Sequence, residues 1–314
     1  MIQNAVFVLG AGASCPYGFP SGRELREQII TDHVADCEAY LTAKGLQRPI
    51  ISQARDKAKK FVDKFRKSTT KSIDLFFARN PEFSGEGRRA IIFRILSTEH
   101  ASRFREETKN RNQDWYRWLF EQLTDKLVRK EDYTRFCEND VTFITFNYDR
   151  SLEHFLYESL LNSFNGICEE KIIEQLKHVK ICHVFGQVGP LEWQGQYNEI
   201  KYRVNFNQIS IDALCDNIKI VYEKGENPKL EEARKLISEA HRVFFLGFGY
   251  AVENLDALRI PEVLSNVQHV YGTALGFTDR EITRVRSLFQ ARGSEKRTVF
   301  IKNWDCLSLL REAL

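Results

Sequence analysis

The sequence predicts an α/β protein, a doubly wound parallel sheet carrying a helical insertion domain. Three observations lead there. Short apolar runs of five to seven residues recur at 5–9, 140–146, 179–185, 242–246, 267–271 and 297–301, the pattern of strands buried on both faces. Helical periodicity separates most of these runs, as parallel crossovers require. Between about Gln47 and Glu138 nothing alternates like a strand, and apolar residues recur at helical spacing instead.

The first run, Ala5–Leu9, passes straight into Gly10-Ala11-Gly12-Ala13-Ser14. A helical pattern follows from Gly22 to about Ala43, with Leu25, Ile29, Ile30, His33, Val34, Cys37 and Leu41 on the face expected to pack on the first strand. In a strand–turn–helix unit of this kind, small residues let the backbone approach a phosphate and free amides point towards negative charge, so the turn proposes a nucleotide pyrophosphate as ligand. The dehydrogenase version needs a third glycine and an acid about 20 residues further on. Cys15 stands at the glycine position and no prompt second strand follows.

In the middle segment, Phe61, Phe65, Ile73, Phe76 and Phe77, then Ile91, Ile92, Ile95 and Leu96, then Trp115, Trp118, Leu119, Leu123 and Leu127 mark three or four amphipathic helices. Asn80-Pro81 and Ser84-Gly85-Glu86-Gly87 read as turns between them. The expected domains are therefore 1–46 with 136–314 for the sheet and 47–135 for the insertion. Residues 55–135 hold 21 basic and 13 acidic side chains, a net +8 against +3 for the whole chain. Acids are mixed among the bases and no exposed stacking aromatics are expected between them, so a solvated helix surface accounts for the charge and a nucleic-acid partner is not required. The aromatics Phe61, Phe65, Phe76, Phe77, Phe93, Trp115 and Trp118 are many for a small helical layer, and predict a homo-oligomer or an associated sensor or regulator protein.

The second run ends in Asn147-Tyr148-Asp149, with Asp149 placed to cap a helix bearing Leu152, Phe155, Leu156, Leu160 and Leu161. The third carries His183 towards its carboxyl end and closes at Gly186. The fourth follows a helix over 228–240 and ends in Gly247-Phe248-Gly249-Tyr250, with Glu253 and Asn254 opening the next helix. The fifth is followed by Gly272-Thr273-Ala274, and the sixth by a helix after Asp305. Ligands of open α/β sheets gather at the carboxyl ends of strands, which makes these small and polar endings the candidate site.

Seven cysteines (15, 37, 137, 168, 182, 215 and 306) include no CxxC pair, which argues against a structural zinc site and a disulfide framework. No metal is expected, and a reducing cytoplasm is the natural setting. The longest apolar runs fall well short of the roughly 20 residues that span a bilayer, and no basic leader precedes the first strand. No membrane association is expected.

Taken in order, GAGAS, TFNYDRSLE, HVFG, FLGFGYAVENL and YGTALG resemble the SIR2-like proteins of bacteria, relatives of the sirtuins that often serve as NAD-consuming effectors in antiviral defence. The resemblance runs over nearly the whole chain, with the insertion where such proteins carry a variable small domain. It implies a Rossmann-like sheet with NAD, as substrate, across the strand ends. It places Gly10, Ala11, Gly12, Ala13 and Ser14 against the pyrophosphate, Asn147 and Asp149 beside the nicotinamide ribose, Gly247, Gly249 and Asn254 on the adenosine side, and Thr273 near the adenine. The family usually shows HxHG. Phe185 stands where its second histidine would be, so only His183 remains.

Cleaving the bond from ribose C1' to nicotinamide passes through an oxocarbenium-like state, so a site must hold the ribose, stabilise positive charge and place a nucleophile opposite. Asn147 would orient water or ribose hydroxyls, and His183 would accept a proton. Without zinc cysteines, water is favoured over an acyl-lysine oxygen, and a deacylase is less favoured. The implied activity is an NAD glycohydrolase giving nicotinamide and ADP-ribose. The alternative is a non-catalytic module that binds NAD or ADP-ribose.

Overall fold

The computed structural model describes residues 1–70, 72–101, 113–196, 198–220, 227–290 and 297–314. The chain forms two compact units. One comprises Met1–Tyr17, Arg103–Val184 and Glu226–Leu314, the other Gly18–Ser102 and Phe185–Gly225. In chain order the helices are α1 (Gly22–Ala43), α2 (Arg48–Lys67), α3 (Ile73–Arg79) and α4 (Ser84–Ala101) in the second unit, then α5 (Trp115–Thr124), α6 (Ser151–Ser163) and α7 (Glu169–Leu176) in the first. The short α8 (Ile211–Cys215) returns to the second unit, and α9 (Pro228–Glu239), α10 (Val252–Leu258), α11 (Asp279–Leu288) and α12 (Cys306–Ala313) complete the first.

Among the described residues the first unit holds six strands: β1 (Ala5–Leu9), β2 (Val141–Thr145), β3 (Lys180–His183), β4 (Arg242–Leu246), β5 (His269–Thr273) and β6 (Thr298–Lys302). They pair in parallel in the order β3-β2-β1-β4-β5-β6. This is the strand order of doubly wound, Rossmann-like sheets, in which the winding reverses between β1 and β4. One face is an aromatic row set by register: Phe7 stacks on Phe143 at 5.1 Å and on Phe244 at 5.0 Å, and Phe244 on Tyr271 at 4.9 Å. Each fully buried ring of this kind contributes about 1.5–3 kcal/mol.

Two strands end two residues away from where the sequence predicts. β3 stops at His183, because the chain leaves the sheet at Gly186, whose φ of +79° suits glycine and whose backbone bridges Ile218. Phe185, expected within the strand, therefore lies beyond it. β5 runs two residues further than 267–271 and includes Gly272 and Thr273. Gly272 reads as a turn residue, but a Cβ there would meet the Tyr250 hydroxyl at 2.3 Å, so the glycine makes room inside the strand.

The second unit, described by itself, is helical. α1 starts at a reciprocal Ser21–Glu24 capping box. Its buried residues Leu25, Ile29, His33 and Cys37 lie where it packs with α2 and α4. Phe61, Phe65, Phe76, Phe77 and Phe83 fill that unit's core with ring contacts of 4.7–6.5 Å. Ser84–Gly87, expected to turn, forms the first turn of α4. Gly87 is needed there because a Cβ would meet the Phe77 ring at 1.8 Å.

The units divide elsewhere than at residues 46 and 135. α1 belongs with the helices, whereas α5 belongs with the sheet, since Trp115 donates to the Ala13 carbonyl at 2.8 Å and Tyr17 stacks on Tyr116 at 3.9 Å. Positions 71 and 102–112 of the predicted insertion lie outside the described residues. Of the seven aromatics that suggested self-association, six are buried and Trp118 is half-buried, so exposed rings do not support it.

Candidate functional site

The glycine turn leaves β1 at the point where the winding reverses, beside the end of β4, where open α/β sheets bind ligands. Its amides are nevertheless engaged within the chain. Gly10 N–H donates to Leu246 O (3.0 Å), Gly12 N–H to Gly247 O (3.0 Å), Ala13 N–H to Gly10 O (2.9 Å) and Ser14 N–H to Ala11 O (3.1 Å). Among the described residues, Ala11 is the member of this turn whose amide has no such partner. The glycines themselves serve backbone packing. A Cβ on Gly10 or Gly12 would lie 2.6 or 2.8 Å from Gly247 O, and one on Gly247, at φ +56°, would lie 2.0 Å from Ala13 N. The expected row of free amides is thus replaced by two short turns of 3-10 helix, with Ala11 and Gly12 half-buried and Ala13 and Ser14 buried.

The end of β2 presents side chains. Asn147 Nδ2 donates to Gly10 O at 3.0 Å and Ser14 Oγ at 3.1 Å, and its backbone N–H to Thr145 Oγ1 at 3.0 Å. Among the described residues Asn147 Oδ1 accepts no hydrogen bond, and it is not sealed from solvent. Asp149 lies one residue before the helix cap and accepts from Ser151 N–H at 3.1 Å. Burial raises its pKa, against the hydrogen bonds of Ser151 and Ser14. Tyr116, fully buried on α5, closes this network through Ser151 Oγ at 2.8 Å and through Ser14.

His183 Nδ1–H donates to the Asn147 carbonyl at 3.0 Å, while Nε2 meets Glu153 Oε1 at 2.5 Å. Glu153 is almost wholly buried, on α6. Burial pulls the His183 pKa down, but the charge and hydrogen bond of Glu153, with the Asn147 carbonyl, outweigh it and the net shift is upward. A carbonyl only accepts, so Nδ1 carries a proton, and the upward shift favours the charged ring beside Glu153. His183, expected as the proton acceptor, thus also braces the backbone of Asn147.

At the end of β4, Gly249 is exposed and a Cβ there would meet nothing within 4 Å, while Asn254 is half-buried in α10. Thr273 faces inward: its hydroxyl accepts from Gly247 N–H at 2.8 Å and its carbonyl from the Tyr250 hydroxyl at 2.9 Å. The structure thus brings Gly10, Gly12, Ser14, Asn147, Asp149 and His183 together, and ties Thr273 to Gly247. Glu153, Trp115 and Tyr116 were not expected. Glu153 had a signal, a carboxylate between Leu152 and Leu156 on an otherwise apolar helix face. The α5 aromatics had none.

No family model and no curated protein matches the chain. Among solved structures it is similar to one titled "Structure of Sir2Tm bound to a propionylated peptide", at 15% identity over 99% of this chain and 91% of that one, with a TM-score of 0.43.

Proposed function

We propose that the protein binds NAD across the carboxyl ends of β1, β2 and β4 and hydrolyses it to nicotinamide and ADP-ribose. Asn147 carries the reading. Its side chain is held by Gly10 and Ser14 and its backbone carbonyl by His183, yet it keeps an acceptor oxygen open at the strand ends. Such a preorganised oxygen suits a water or ribose hydroxyl beside a developing oxocarbenium ion. Ala11 and Gly12 would lie against the pyrophosphate, with Gly249 and Asn254 on the adenosine side. The ordered motifs' resemblance to bacterial SIR2-like proteins supports a role as a cytoplasmic NAD-depleting effector in antiviral defence, acting with itself or with a sensor.

His183 favours a second reading, a non-catalytic NAD or ADP-ribose module, because both of its ring nitrogens are already engaged, by the Asn147 carbonyl and by Glu153. Incubating the purified chain with NAD separates the two. Nicotinamide release that is lost in Asn147→Ala supports the hydrolase, whereas binding without cleavage supports the module.

A further inference from the structure

The second unit holds a cluster that the strand-end chemistry does not use. His33 and Cys37 stand four residues apart on α1 and so share one helix face. Glu86, in the first turn of α4, meets them. His33 is fully buried, Cys37 is buried, and the Glu86 side chain is 14% exposed. Glu86 Oε2 lies 3.3 Å from His33 Nε2, and Cys37 Sγ lies 3.7 Å from the same nitrogen, with the three donor atoms all within 4.8 Å of one another.

We propose that His33, Cys37 and Glu86 bind a zinc-class divalent cation that ties α1 to α4. Metal–ligand lengths of about 2.0–2.3 Å at a tetrahedral centre put donor atoms about 3.3–3.6 Å apart, close to the two edges seen. Cys37 Sγ also lies 3.8 Å from Nδ1, so binding swings the sulfur about one side-chain torsion towards the Nε2 edge. One imidazole, one thiolate and one carboxylate form a mixed N, S and O set suited to zinc, with the fourth position left to water. Cys37 releases its thiol proton to solvent on binding, and thiolate plus carboxylate then balance the charge of the dication.

The surroundings match what metal ligands require. Arg89 holds the other Glu86 oxygen at 2.9 Å and is itself held by Asp212 at 2.7 Å, an outer pair that aims Oε2 at His33. The Phe61 ring stands edge-on to His33 at 5.6 Å. Zinc motifs built from paired cysteines do not cover this spacing, a His-x3-Cys pair completed from another helix.

The test is titration of the chelator-stripped full chain with cobalt(II). The expected result is one equivalent bound, with the strong visible bands of a tetrahedral site and a thiolate-to-cobalt charge-transfer band, both bleached by zinc(II). Cys37→Ser removes the charge-transfer band. Arg89→Ala, outside the ligand set, weakens the cobalt Kd about 10- to 100-fold. Absence of the bands in the wild-type chain overturns the proposal, as does a charge-transfer band that survives in folded Cys37→Ser. If Cys37→Ser does not fold, an unchanged Kd in Arg89→Ala overturns it.

Discussion

At the end of β1 the amides of Gly10, Gly12, Ala13 and Ser14 all donate within the chain, whereas one strand away, at the end of β2, Asn147 keeps Oδ1 without a donor. The two endings are neighbours in one sheet and are built by opposite means. The first is backbone packed on backbone, with Gly247 in the closest contact. The second is a side chain braced by hydrogen bonds. The glycine turn, expected as a phosphate cradle, is also a packing device that fixes where Asn147 can stand.

The sharpest way to break this comparison is Gly247→Ala. A methyl group there would sit 2.0 Å from Ala13 N and 2.2 Å from Gly12 C, at a φ of +56° that alanine disfavours. Overpacking against backbone plus left-handed strain should cost about 3 kcal/mol or more. Thermal unfolding should show a sharply lowered midpoint or no folded protein. A wild-type midpoint would mean that the turn yields easily and is not a packing device.

Asn147→Ala should act the other way, more on turnover than on stability. Losing the two Nδ2 hydrogen bonds should cost about 1–2 kcal/mol at about 1 kcal/mol each. Losing a preorganised polar group at the reacting centre should lower NAD cleavage about 10²–10³-fold. Nicotinamide release measured beside the melting temperature separates the two effects. A folded variant with wild-type turnover would remove Asn147 from the mechanism.

His183 gives a smaller effect with a distinctive pH dependence. Its folded pKa lies above the unfolded value of about 6.5. The stabilisation by the imidazolium is therefore complete below that pH and fades as pH rises through the folded pKa. The wild-type melting temperature should carry this decline, and Glu153→Gln should flatten it. If His183 only braces Asn147, His183→Gln should lose far less turnover than the about 10²–10⁴-fold expected when a general base is removed. A loss of that size, with a limb missing from the pH–rate profile, would restore it as the proton acceptor.

How much of this was legible depended on what each residue contacts. The sheet was, because Ala5–Leu9 or Arg242–Leu246 can hardly be anything but strands buried on both faces, and their polar endings marked the strand ends. Asn147 stood out by position alone. Gly272 misled because local sequence cannot show that Tyr250, from another loop, lies over it. The domain division misled for the same reason: α1 follows β1 directly in sequence but packs with α2 and α4, and nothing in Trp115-Tyr116 points to the Gly10–Ser14 turn. Spacing reveals periodicity within an element, but not the partner that a side chain finds a hundred residues away.

The smallest effect is expected two residues from the largest. Gly249 follows Gly247 in the same strand ending, but it is exposed and a Cβ there would meet nothing within 4 Å. Gly249→Ala should thus change stability by no more than about 0.5 kcal/mol, as for other surface substitutions. If NAD passes over this end of β4, the added methyl group meets the ligand instead of the protein. Affinity should then fall about fivefold, the effect of ~1 kcal/mol. Calorimetric titration with NAD, beside the unchanged melting curve, isolates that term from the folding defect of Gly247→Ala. Equal affinity in wild type and variant would show that the ligand does not lie over Gly249, and would confine its contacts to the β1 and β2 endings.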